Sequence, residues 1–157
     1  MVALVALLAL GLVNAGCARM LPSDPFSPAY VVNRGGHYFA GSRCGTILEA
    51  GVFPDLPFTG KRDATAFDAA FWHATVEPAA GFEWELFASS QPGVVVLSDD
   101  GRRPNSSLIL VLMRDTWDNW VSVALTLEKI GDGMVTSAAG LMSWDDFMKM
   151  SNWNFGC

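Results

Sequence analysis

The sequence predicts a mainly β fold: a compact, antiparallel β-sandwich-like domain with one short C-terminal helix. Three observations lead there. Apolar and polar residues alternate in 71–77, 82–88 and 121–128, which is the period of a half-buried strand. Turn formers separate these runs. A single stretch near the end carries apolar residues at helical spacing. The strands are few and unequal, which favours a sandwich over a closed barrel.

In chain order, Tyr30-Val31-Val32 and His37-Tyr38-Phe39 flank Asn33-Arg34-Gly35-Gly36 and read as a hairpin. Residues 45–65, with Pro54, Pro57 and three glycines, read as irregular. In 71–77 one face carries Trp72, Ala74 and Val76, and the other Phe71, His73, Thr75 and Glu77. In 82–88 the apolar face is Phe82, Trp84, Leu86 and Ala88. Matching these faces pairs Val76 with Trp84, Ala74 with Leu86 and Trp72 with Ala88 across a loop at 78–82. That pairing sets Glu77 opposite Glu83, a mildly unfavourable match. It also brings Glu85 diagonal to His73 as a surface contact.

Val94 to Leu97 is a third strand, followed by a loop at 98–107. Leu108 to Met113 is continuously apolar and reads as a central strand covered on both faces, with a buried helix as the competing reading. Val121, Val123, Leu125 and Leu127 form the inner face of the next strand, and Met134-Val135-Thr136 a short one after the turn Gly131-Asp132-Gly133. Ser143 is placed to cap a helix with Asp145 and Asp146 in its first turn. Trp144, Phe147 and Met148 share one face of that helix, which is expected to end near Ser151.

Residues 1–13, MVALVALLALGLV, carry no charge and no proline. The run is short for a membrane span and fits the apolar core of a signal peptide. Asn14-Ala15-Gly16-Cys17 resembles the cleavage box of bacterial lipoproteins, with Ala15-Gly16 as the small pair and Cys17 as the lipid acceptor. Asn14 departs from the Leu usual there. No Lys or Arg precedes the apolar run, which suggests a start upstream of Met1. The resemblance implies a signal peptide at 1–16 and a lipid on Cys17. The rival cut, after Ala18, releases a soluble secreted protein. Pro22, Pro25 and Pro28 then make 17–29 an extended, semi-rigid tether, leaving 30–157 as a single β-rich domain.

Export bears on the other thiols. With Cys17 lipidated or removed, Cys44 and Cys157 remain, and an oxidising compartment favours a disulfide between them. The other use of Cys44, as a thiolate with His37 or His73 as base, lacks any activating motif.

The hydrophobic fraction is 51% and the net charge −6, all carried after residue 16. Nucleic acid needs clustered Lys and Arg, so it is excluded as a partner. So is charge-driven docking on an anionic bilayer. Two histidines 36 residues apart give no zinc spacing, and no GxSxG, Walker, GxGxxG or EF-hand pattern occurs. No metal, cofactor or catalytic set is therefore assigned. The feature above background is tryptophan, six in 157 residues. Trp72 and Trp84 fit the core and Trp144 the helix. Trp117 and Trp120 lie among Asp115, Asp118 and Asn119, a candidate binding patch for another envelope protein or a glycan. The competing reading folds both rings back over the core edge.

The sequence thus points to an exported, lipid-anchored envelope protein that serves as a non-catalytic binding module. The alternatives are a secreted hydrolase using Asp99, Asp100 or His73, and a structural accessory without a ligand. Convergence of His73 with the 98–106 carboxylates in one pocket marks the enzyme. Dispersal of these groups with an exposed Trp117 or Trp120 marks the binding module.

Overall fold

Gly35 and Gly36 are both at positive φ (62° and 86°) between the paired residues Arg34 and His37. Two such residues make the tight turn whose twist suits a hairpin. The turn joins β1 (Ala29–Arg34) to β2 (His37–Ser42) as the sequence predicts. Asn33 fixes it, accepting from Gly36 N at 2.9 Å and donating to the Ile130 carbonyl at 2.7 Å. The computed structural model describes residues 27–54, 65–77 and 83–155. The leader 1–16, Cys17, the tether up to residue 26, the 78–82 loop and Cys157 lie outside the described residues.

The remaining strands are β3 (Ile47–Pro54), β4 (Trp72–Val76), β5 (Glu83–Glu85), β6 (Val94–Asp99), β7 (Ile109–Asp115), β8 (Trp120–Leu125), β9 (Met134–Ser137) and β10 (Gly140–Ser143). They form two antiparallel five-stranded sheets packed together, in the orders β10-β9-β1-β2-β5 and β6-β4-β3-β7-β8. Between them lies the main core. Val31, Ala40 and Trp84 come from one sheet, and Val52, Trp72, Ala74, Val111, Met113 and Val123 from the other.

The outer faces are also partly covered, which explains why β1 and β7 read as apolar runs. Tyr30 and Val32 of β1 pack under α1 (Trp144–Lys149) and a 3-10 turn at Asn152–Phe155, around Phe147 and Phe155. Leu112 of β7 packs with Phe53, Ala66 and Phe67. Ser143 caps α1 as expected, its hydroxyl accepting from Asp146 N at 3.1 Å. Within α1, Phe147 is buried but Met148 is exposed, and the α-helix stops at Lys149, short of Ser151.

Three expectations are corrected. The 71–77 and 82–88 runs are not a hairpin. β4 lies between β3 and β6, whereas β5 pairs with β2 in the other sheet, with Trp84 opposite Ala40. Their apolar faces meet across the core instead of side by side. This removes the Glu77–Glu83 clash and gives Glu83 to Arg34 and to the Tyr30 hydroxyl. Second, residues 47–54 are a strand at the centre of its sheet, not irregular chain. Pro54 is tolerated because it is the strand's last residue. Gly51 is needed because Phe67 lies on it: a Cβ there sits 2.5 Å from Phe67 Cδ1. Third, Phe71 is buried, not on a polar face. Ala29 is fully buried in β1, and the Ser27 hydroxyl donates to the Ser122 carbonyl at 3.0 Å.

Candidate functional site

β7 and β8 run antiparallel, with Arg114 opposite Trp120, so residues 115–119 must reverse the chain. Asp115 builds this turn. Its Oδ1 accepts from the backbone N–H groups of Trp117 and Asn119, both at 2.8 Å, and its Oδ2 accepts from Asn119 Nδ2 at 2.9 Å. Asp118 takes the left-handed conformation (φ 62°), which short polar residues tolerate best. The result is a locked loop that presents Trp117, 71% exposed.

One edge of the Trp117 ring rests over the β2–β3 loop. A Cβ at Gly45 lies 3.2 Å from Trp117 Cζ3 and 3.2 Å from Asp115 Oδ2, and Gly45 has φ +77°. The positive φ favours glycine there, and a Cβ would be tight against both side chains. Beside the ring opens a groove of about 650 Å³, lined by Pro28, Gly45, Asn119, Val121 and Phe155 among others. Thus the first described residues and the last ones meet at this end of the sandwich. Arg43, also in the wall, donates to the carbonyls of Phe147 (3.0 Å) and Met150 (3.1 Å) and lies over the Phe147 and Phe155 rings. It ties the C-terminal elements to the loop. Cys44 Sγ lies 3.7 Å from the Phe155 carbonyl oxygen, two residues before Cys157.

The five residues of the expected patch are only partly brought together. Trp117 is at the groove mouth, with Asn119 in its lining. Asp118 is exposed and pairs with Arg114 at 3.4 Å. Asp115 also lines the groove, but it is only 5% exposed and both its oxygens accept hydrogen bonds within the turn. Trp120 is on the outer face of its sheet, stacked on Phe67 with ring centroids 5.5 Å apart. For Trp120, then, the ring does fold back; for Trp117 it does not. Pro28, Gly45, Val121 and Phe155 were missed, because their proximity arises from long-range packing.

The residues of the enzyme alternative are held by separate partners. His73 does not meet Glu85. Its Nε2 is 2.8 Å from Glu49 Oε1, and its ring stacks on Phe67 at 4.7 Å. Arg114 closes the other Glu49 oxygen with two bonds, at 2.6 and 3.0 Å, and that pairing raises the arginine's pKa. Glu85 meets His37. Asp99 is bound by Arg103 and Asp100 by Arg102. Those guanidinium bonds hold both carboxyls below the usual range, so they stay anionic and are not proton donors near neutral pH. None of these groups lines the groove. Among the described residues no cluster of three or more His, Cys, Asp or Glu could hold a metal. Nor is any described helix long and apolar enough to cross a membrane.

No protein-family model matches the chain, and neither a curated protein nor a solved structure matches it.

Proposed function

We propose that this chain is an exported, lipid-anchored envelope protein whose domain is a non-catalytic binding module, with the Trp117 groove as its contact surface. One observation carries the reading. A large amphipathic ring is held 71% exposed, on a turn rigidified by a buried carboxylate, beside a groove. Ordering an exposed tryptophan in this way lowers the entropy lost on binding, which is what a contact surface needs. The dispersal of His73, Asp99 and Asp100 onto separate structural partners supports the same reading.

The anchor rests on the Ala15-Gly16-Cys17 box. A Cys44–Cys157 disulfide belongs to the proposal and is supported by the place of Cys44 beside Phe155. The chain-entropy relation makes a loop of that length worth about 4–5 kcal/mol, less any strain.

Intact mass of the mature protein, with and without reduction, tests export, anchor and disulfide together. The expected mass is that of residues 17–157 plus lipid, rising by two hydrogens on reduction. A mass beginning at Met1, or one unchanged by reductant, refutes it. Contact through the groove is tested by photo-crosslinking from position 119 in intact envelopes. Adducts should form with the native chain and drop sharply with Trp117→Ala. Equal adducts in both refute the groove as the surface.

A further inference from the structure

We propose that the face bearing Trp117 seats on the headgroup region of the bilayer that carries the protein's own lipid. This rests on the lipid-anchor reading above and names the partner of the same groove. Pro28 lies in the groove lining beside Trp117. The chain that leads back to Cys17 therefore leaves the domain at this end, and this end is held nearest the anchor. From Cys17 to Ser27 is ten residues, at most about 31 Å as polyproline II chain. A tether that short keeps the effective concentration of surface around the millimolar range, so a contact with a dissociation constant of about 1 mM is about half occupied and a tighter one is largely occupied.

The chemistry of the turn suits an interface rather than a hydrocarbon core. Indole is the side chain that prefers the headgroup level, with an apolar body and one N–H donor. Thr116 and Asn119 beside it are exposed, polar and uncharged, and Val121 and Pro28 supply apolar surface behind it. The exposed charge of the turn is Asp118, partnered by Arg114, and the whole chain is at −6. Zwitterionic headgroups fit this face; anionic ones are repelled. The large exposed apolar side chains on the strands of this sheet, Val95 and Leu97, are on β6, the edge opposite β8.

The test uses the full lipidated protein in phosphatidylethanolamine vesicles, with and without lipids brominated high on the acyl chain, beside a Trp117→Phe variant. Trp117 is exposed, so the variant should keep the native thermal midpoint. The emission that Trp117→Phe removes should fall about two-fold or more with brominated lipid, and the variant should show no such loss. Inserting twenty Gly/Ser residues after Cys17 should weaken the contact about five-fold through the longer spacer. Equal quenching in both proteins overturns the contact, as does a loss unaffected by spacer length. A protein adduct through position 119 without quenching overturns it too and assigns the face to a protein. Lipid found on Cys17 without quenching sinks this contact alone, whereas absence of lipid sinks the anchor as well.

Discussion

Replacing Asp115 by alanine removes the acceptor for three donors at once: Trp117 N, Asn119 N and Asn119 Nδ2. Hydrogen bonds to a charged group are each worth about 1.5–3 kcal/mol net. They do not add, because all three share one carboxylate. Two further effects reduce the loss. Trp117 and Asn119 are exposed, so water can reach their freed N–H groups. Removing a carboxylate that is only 5% exposed also recovers its desolvation penalty. The expected loss is about 2–3 kcal/mol. For a domain of this size that lowers the thermal midpoint by roughly 6–12 °C and the urea midpoint by about 1–2 M at unchanged slope. Asp115→Asn keeps an oxygen for both backbone donors but turns an amide nitrogen toward Asn119 Nδ2, so its loss should be about half as large. Urea titration followed by circular dichroism reads both. A loss below about 1 kcal/mol for alanine, or equal losses for the two variants, would show that the carboxylate does not organise the turn.

Gly51→Ala should destabilise by about 1–3 kcal/mol, because its Cβ must displace Phe67 from its stacks on His73 and Trp120. In a double-mutant cycle with Phe67→Leu the loss should shrink; additive losses would refute the contact. Burial, reinforced by the Glu83 charge, pushes the Tyr30 phenol well above its usual range. Its proton is therefore retained on folding but lost from the unfolded chain above about pH 10. The stability it contributes is complete below that pH and declines above it, at up to about 1.4 kcal/mol per pH unit. Tyr30→Phe should flatten that alkaline decline in pH-dependent urea melts, and an unchanged slope would exclude Tyr30 as its source. Ser143→Ala removes the α1 cap and should cost about 1 kcal/mol, with faster amide exchange at Asp146 as the local readout.

Local physics made much of the fold legible. The Gly35-Gly36 turn, the Ser143 cap and the inward faces of β4 and β5 follow from residues adjacent in sequence. What failed was partnership. Alternation says which face of a strand is apolar, not which strand lies beside it. Trp72 and Trp84 both point into one core, and side-by-side pairing was one of two ways to achieve that. The charges carried the missing information. Glu83 opposite Glu77 is unfavourable, whereas β5 placed on β2 lets Glu83 meet Arg34 and Tyr30 and lets Glu85 meet His37. The β3 strand was hidden for a related reason. Its Gly51 looks like a breaker until Phe67, sixteen residues on, is seen to occupy the space of a Cβ.

At the candidate site the same division separates two tryptophans three residues apart. Trp120 begins β8, opposite Arg114, and strand geometry sends it to the sheet's outer face, where Phe67 is waiting. Trp117 is inside the turn, where no pleat dictates a face, so its exposure depends on how the turn is held. That hold was readable in principle. An Asp followed by backbone donors two and four residues later is a side-chain-to-backbone turn, and this use competes with ligand binding for the same carboxylate. A buried acid that already accepts three hydrogen bonds has little left to offer a partner. The polar character of the surface therefore falls to Thr116, Asn119 and the backbone rather than to Asp115, and its apolar character mainly to the indole.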